Sequence, residues 1–336
     1  MNKFFKFLLS LLIGLVVFLI VIQRVGLHNM RQAVFLLFNV QGLAIVIANL
    51  LFLAVSILRW QLILKYQGER FSFKSLTPLW MIGFSLSYLT PFTAFGGEIF
   101  RIYFTRKKFP QLSSKKAISS VAIDKLLDGT VFFSFLFVGL AFFISYGTLP
   151  STLMILSLVV FSSFFLFILG FFYFKNWKKE SVLESLMNTF GLKKLIKRKD
   201  GEMVLEAEKE VFQFFSLKHK QFWYVLCLSV LKYSLQVVKA SILIFFLVGT
   251  FDIIKAFASY SFVNVAALTP LPASLGTLEL SQGFSFQVLG FGFAKGTVFG
   301  MIWRGADLIF CFFGILFLIK YSFSILKEKM FGFFEK

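Results

Sequence analysis

The chain has 336 residues, of which 58% are hydrophobic, 15% charged and 19% aromatic, and its mean hydropathy is +0.83, which excludes an ordinary water-soluble globular domain. Its 35 basic and 16 acidic residues give a net charge of +19. In a polytopic membrane protein, such an excess reports loops facing an anionic cytoplasmic leaflet before it reports nucleic acid.

Apolar windows long enough to cross about 30 Å of hydrocarbon fall near residues 4–22, 40–58, 76–95, 130–147, 152–174, 222–248, 256–278 and 297–319. The first follows Lys3 and Lys6 and reads as a retained span, being long for a signal peptide and lacking a small-x-small cleavage site. Lys and Arg crowd the N-terminus, the stretches 59–74, 101–125 and 175–220, and the tail 321–336, whereas the turns 147–151 and 249–255 are nearly free of them. This places both termini and the basic loops in the cytoplasm of a multi-pass cell-membrane protein.

Both flanks of the third window are then cytoplasmic, so it cannot span. Its middle carries Thr90-Pro91 and Gly96-Gly97, where Pro removes a helical hydrogen bond and Gly permits a reversal, and a re-entrant hairpin over 76–97 is expected. The seventh window meets the same conflict from the other side, with Thr269-Pro270, Pro272 and Gly276 as its breakers, and predicts a second hairpin over 256–278. Irregular backbone at membrane depth must be buried in protein or line a wet cavity.

The two breakers share the pattern Leu-Thr-Pro-x-x-Ala-x-x-Gly without a gap, and the shift that carries Thr90 onto Thr269 also carries Lys125-x-x-Asp128 onto Arg304-x-x-Asp307. Three spans lie between the breakers, an odd number, so the second copy is inverted. The expected fold is all-α: six full spans and two re-entrant helical hairpins, residues 1–147 forming the first repeat and 148–320 the second. The insert 175–220 reads as two amphipathic cytoplasmic helices on anionic lipid, or as a docking site for a partner enzyme.

Glu98, Arg101, Lys125 and Asp128 follow the first breaker, and Glu279, Arg304 and Asp307 the second. Charges at membrane depth cost about 2.5–3.5 kcal/mol each on insertion scales and therefore face the protein interior. Lys125/Asp128 and Arg304/Asp307, at i, i+3 spacing, either neutralise each other or contribute to a polar groove, where Arg101, Lys125 and Arg304 would meet a phosphate and where Glu98, Arg101, Glu279 and Arg304 would share one cavity. Two cysteines (Cys227, Cys311) in apolar runs and two distant histidines (His28, His219) point to no disulfide framework, metal site or cofactor, and enzyme motifs are lacking.

Thr90-Pro91, Gly96-Gly97-Glu98-x-x-Arg101, Asp124-Lys125-x-x-Asp128, Pro270-x-Pro272, Gly276-x-x-Glu279 and Arg304 together resemble the lysylphosphatidylglycerol synthase transmembrane region family, also called the flippase-like or uncharacterised family 0104 proteins, over about residues 5–320. The resemblance implies a relative of the flippase half of bacterial aminoacyl-phosphatidylglycerol synthases, without their aminoacyltransferase activity. The expected function is a flippase or transporter for an anionic or polyprenyl-phosphate-linked lipid, with a lipid-modifying enzyme as a further partner. The alternatives are a membrane enzyme using Glu98 or Glu279 on a lipid-linked sugar or amino acid, and a structural partner of a lipid-synthesis enzyme.

Overall fold

Sequence stretches that are apolar on every side, without the one-sided stripe of a surface helix, fold here as long helices. The computed structural model describes Phe35 and residues 39–90, 96–146, 152–178, 180–181, 199–215 and 220–334, so the expected first span, Pro91 and the stretch 182–198 of the insert lie outside the described residues. In chain order the helices are α1 (Val40–Tyr66), α2 (Phe73–Leu89), α3 (Glu98–Lys108), α4 (Ser114–Tyr146), α5 (Thr152–Trp177), α6 (Lys199–Phe214), α7 (Lys220–Val248), α8 (Ile253–Ala267), α9 (Thr277–Val288) and α10 (Phe293–Phe334), with one 3-10 turn at Pro272–Ser274. No strand occurs among the described residues.

Gly42–Tyr66, Ser114–Tyr146, Lys220–Val248 and Phe293–Ser322 are long and apolar enough to cross a membrane. Their outer faces expose residues such as Leu43, Ile47, Leu50, Phe137, Phe245, Phe312 and Phe313, and α5 exposes Phe164 and Phe167. Apolar faces of that extent require lipid or protein to cover them.

Two helix–break–helix units interrupt these long helices. In the first, α2 ends at Leu89, Thr90 turns extended (φ −89°, ψ 157°), and α3 returns antiparallel to it. The Gly97 amide donates to Ser87 Oγ at 2.8 Å near the break, and Lys108 Nζ donates to the Ser75 carbonyl at 2.9 Å near the open end. A Cβ at Gly97 would overlap the Gly83 carbonyl oxygen. In the second unit Asp252 caps α8 by accepting from the Ile254 and Lys255 amides at 3.1 and 2.9 Å. After the break, Gln282 of α9 reaches back to Ser259, accepting from its hydroxyl at 2.7 Å and donating to its carbonyl at 3.1 Å.

At the second break, Ala273 and Ser274 both hold left-handed backbone angles (φ 52° and 48°) ahead of Gly276 (φ 78°), a region L-residues enter at a cost of roughly 1–2 kcal/mol each. The two units also extend beyond the hairpins expected over 76–97 and 256–278. Their second arms, α3 and α9, carry too much polarity to register as membrane segments. For the same reason α4 begins at Ser114, well before the window at 130–147.

Helix starts recur along the chain. Val40, Phe73, Glu98 and Ser114 reappear as Lys220, Ile253, Thr277 and Phe293, displaced by the shift that relates Thr90 to Thr269 to within one position. Packing crosses between the two sets, with α1 on α7, α4 on α8 and α10 on α2. Close approach is permitted by Gly139 of α4, where a Cβ would come within 2.8 Å of the Phe257 carbonyl oxygen, and by Gly314 of α10, within 2.5 Å of that of Met81, as small residues allow between membrane helices.

From the insert, α6 docks on the end of α4. Its Val211 and Phe214 are buried with Ile63, Ile123 and Phe222, and Glu210 accepts from Ser119 Oγ at 2.6 Å. That apolar stripe is covered by protein. Val204, by contrast, is exposed.

Candidate functional site

Charged side chains inside apolar helices have no water to solvate them, so their partners must come from other helices. Arg59, near the end of α1 and 1% exposed, donates from Nε to Asp124 Oδ1 at 2.8 Å and from Nη1 to Asp128 Oδ1 at 2.9 Å. Arg101 of α3 donates from Nη1 to the other Asp124 oxygen at 2.7 Å, and its guanidinium lies over the Trp60 ring, 3.8 Å from the centroid. Lys232 of α7 forms a second ion pair with Asp128. At the start of α3, Glu98 pairs with Lys125 of α4 at 2.6 Å.

The C-terminal set repeats this plan with different residues. Glu279, at the start of α9, pairs with Arg304 of α10, as Glu98 does with Lys125, and Arg304 also donates to the Ser274 carbonyl at 2.9 Å, bracing the second break. When α7 is laid on α1 from their first residues, Lys239 takes the place of Arg59 and Ser229 that of Asn49. Lys239 pairs with Asp307 at 3.3 Å, as Arg59 does with Asp128. Arg59 reaches Ser229 Oγ across to α7 at 3.3 Å, while Lys239 reaches Asn49 Oδ1 across to α1 at 2.9 Å, so these two contacts are equivalent under the repeat. Lys239 sits over the Trp303 ring at 3.8 Å from the centroid.

Lys125 and Asp128 therefore pair with separate helices, as do Arg304 and Asp307. The network holds six cations (Arg59, Arg101, Lys125, Lys232, Lys239, Arg304) and five carboxylates (Glu98, Asp124, Asp128, Glu279, Asp307), one positive charge in excess among the described residues. The excess is local, since Asp124 and Asp128 between them hold Arg59, Arg101 and Lys232.

A cavity of about 290 Å³ opens onto this network. Its wall includes Glu98, Arg101, Asp124, Lys125, Asp128, Lys232 and Asp307, with Ser87 and Tyr88 beside the first break and Leu268, Ala273 and Ser274 at the second. Glu279 and Arg304 are not on the wall but lie behind Ser274. Of the four residues expected to share one cavity, Glu98 and Arg101 do so. Arg101 Nε and Nη2 are buried without a hydrogen-bond partner, an arrangement costing about 1–3 kcal/mol per group unless an acceptor enters. Among the described residues no three His, Cys, Asp or Glu side chains converge as metal ligands would.

Sequence reasoning passed over Arg59, Lys232, Lys239 and Asn49. Lys232 and Lys239 carried a usable signal, being isolated lysines within an otherwise apolar 29-residue helix. Arg59 gave less, because it closes the apolar window 40–58 and reads as the first charge of a cytoplasmic loop.

The family model described as the lysylphosphatidylglycerol synthase transmembrane region matches residues 7–314. A UPF0104 membrane protein of Methanocaldococcus jannaschii is 25% identical over 295 residues, covering 85% of each chain. No solved structure matches the chain. The chain belongs to the lysylphosphatidylglycerol synthase transmembrane-region family and is a multi-pass membrane protein.

Proposed function

We propose that this protein moves an anionic lipid between the leaflets of the cell membrane, binding its headgroup in the cavity between α1–α4 and α7–α10. The observation that carries this reading is the sharing of Asp124 and Asp128 by three cations, one of which, Arg101, lines the cavity and keeps two buried nitrogens without a hydrogen-bond partner. A phosphate supplies both the missing charge and the missing acceptors. The family's name fits a lipid-related role. In this reading α2–α3 and α8–α9 are re-entrant hairpins of an inverted repeat, and both termini are cytoplasmic. The near-constant shift between helix starts and the crossed packing support it, as does the general placement of transporter sites at broken helices between repeats. Rocking of one repeat against the other would then expose the cavity alternately to each leaflet.

An enzyme using Glu98 or Glu279 has less support, because each carboxylate is engaged by a cation. Reconstitution of the full chain in liposomes with acyl-labelled phosphatidylglycerol tests the proposal. Bilayer crossing faster than in protein-free vesicles, without chemical change by mass spectrometry, is the expected result; no acceleration rejects transport, and a modified lipid favours the enzyme.

A further inference from the structure

Asp307 has the weakest cationic hold of the carboxylates on the cavity wall. Asp124 and Asp128 each bind two cations, whereas Glu98, Glu279 and Asp307 have one ion pair apiece among the described residues. The pair of Glu98 with Lys125 closes to 2.6 Å, and Glu279, fully buried, is held by Arg304 away from the wall. Asp307 meets Lys239 at 3.3 Å, and its side chain, 18% exposed, lines the cavity.

Lys239 does not depend on Asp307 alone. Its ammonium, 1% exposed, also donates to Asn49 Oδ1 at 2.9 Å and lies over the Trp303 ring, 3.8 Å from the centroid. Neutralising Asp307 therefore leaves the lysine an acceptor and a ring face. In the N-terminal set, a proton on Asp128 would instead weaken its pairs with both Arg59 and Lys232. The other groups facing Asp307 are uncharged: Asn49 of α1 and Trp303 hydrogen-bond it, and Tyr88 of α2, Tyr260 of α8 and Cys311 of α10 lie within its field. The acid of α9, Glu279, is taken up by Arg304.

A phosphate entering the cavity brings a second negative charge to a wall that already carries the Asp307 carboxylate. A proton on Asp307 removes that repulsion, and by linkage the anion strengthens proton binding as much as the proton strengthens anion binding. Resting on the transport reading above, we propose that Asp307 is a proton-binding site that couples proton movement to that of the anion, so that one proton and one anionic lipid cross together. The proton comes from water in the cavity, binds a carboxylate oxygen and returns to water when the anion leaves, and no other bond changes. Asn49 and Trp303 hold Lys239 while Asp307 is neutral.

Proton uptake on binding reads this coupling without movement. In weakly buffered detergent solution, adding short-chain phosphatidylglycerol to the full chain is expected to draw protons from an indicator dye. Retention of that lipid should rise with each unit fall in pH, at most about tenfold, the slope that one linked proton sets. Asp307→Asn is expected to abolish the uptake and flatten the pH dependence, whereas Glu98→Gln should keep both. A wild type that takes up no proton overturns the proposal, as does uptake that survives Asp307→Asn or that only Glu98→Gln removes. Should Asp307→Asn fail to fold, Lys239→Arg takes its place, since Arg59 stands at the corresponding position of α1. A guanidinium fork grips a carboxylate more firmly than an ammonium, so uptake should move to lower pH, and an unmoved uptake overturns the proposal.

In proteoliposomes of the full chain with an imposed pH difference, phosphatidylglycerol is expected to leave the acidic face faster than the neutral one. The lumen should acidify faster when that lipid is present. Crossing at equal rates in both directions, without lipid-dependent proton entry, overturns the coupling and keeps the transport reading. Proton uptake in detergent with no crossing in vesicles rejects the transport reading and leaves Asp307 as a proton-linked anion site.

Discussion

Arg59 and Arg101, on different helices, donate to opposite oxygens of one carboxylate, that of Asp124, at 2.8 and 2.7 Å. Two buried guanidiniums are thus held side by side by one negative charge, and only Arg59 has a second acid, Asp128, within reach. Neutralising Asp124 strands Arg101 and leaves Arg59 with Asp128 alone. Asp124→Asn is expected to destabilise the protein by about 3–5 kcal/mol, the usual result of removing one partner of a buried pair. It should appear as a lowered midpoint of thermal unfolding in detergent, and Asp124→Leu combined with Arg101→Met should recover most of the loss.

Arg101→Gln tests the binding side of the same arrangement. Asp124 keeps Arg59, so the variant is expected to fold, with lipid movement reduced tenfold to hundredfold, roughly the value of a charge-assisted hydrogen bond. Arg101→Lys should restore little, since an ammonium lacks the planar fork that grips phosphate and stacks on Trp60. A fully active lysine variant would show that charge alone matters.

For Arg304 the relevant partner is Glu279. Arg304→Met with Glu279→Leu removes a whole ion pair and is expected to be tolerated, whereas Arg304→Met with Asp307→Leu strands Glu279 and Lys239 together. The first double variant should unfold at a clearly higher temperature than the second. Equal midpoints would contradict the pairing.

Gly97→Ala should force α2 and α3 apart, because the new methyl group would overlap the Gly83 carbonyl and crowd Ser87. A loss of about 1–3 kcal/mol is expected from such overpacking. Gly129→Ala, where a Cβ meets nothing within 4 Å, is the matched control and should be neutral.

Membrane disposition follows from the open ends of the helix pairs. Since Lys108 bonds to Ser75, single cysteines replacing Lys74 and Arg106 should label from the same side of the membrane. Lys255 Nζ reaches the Leu289 carbonyl at 3.4 Å, so cysteines at Phe251 and Phe291 should likewise label together, from the opposite side. Labelling of Lys74 and Arg106 positions from opposite sides would make α2–α3 a true span and end the re-entrant reading.

The positions of both breaks could be read from sequence because Pro, Gly and Thr interrupt apolar runs there, and those residues act locally. So could the acids and bases that follow the breaks, which stand out as charges beside apolar segments. Their partners could not. Pairing Asp128 with Lys232, or Lys239 with Asn49, depends on which helices lie side by side, and i, i+3 spacing suggested the wrong neighbours for Lys125 and Arg304. The left-handed angles at Ala273 and Ser274 were equally invisible, because neither residue type signals that conformation.

The division of charge between the two helix sets bears on how the chain is assembled as it is made. Arg59, Arg101 and Lys125 balance Glu98, Asp124 and Asp128 within α1–α4, so the ion-pair network of that part is balanced before the rest of the chain is made. Its α2, beginning at Phe73, must nonetheless wait for α10, which begins at Phe293, a delay of about 10–40 s at ribosomal rates. During that interval the face of α2 around Met81 and Ser85 lacks the cover that α10 later gives it. The surplus positive charge arrives only with Lys232 and Lys239 on α7. Lys232 meets Asp128 already in place, and Lys239 meets the Asn49 amide, so a neutral acceptor on α1 shelters the second lysine until Asp307 follows on α10.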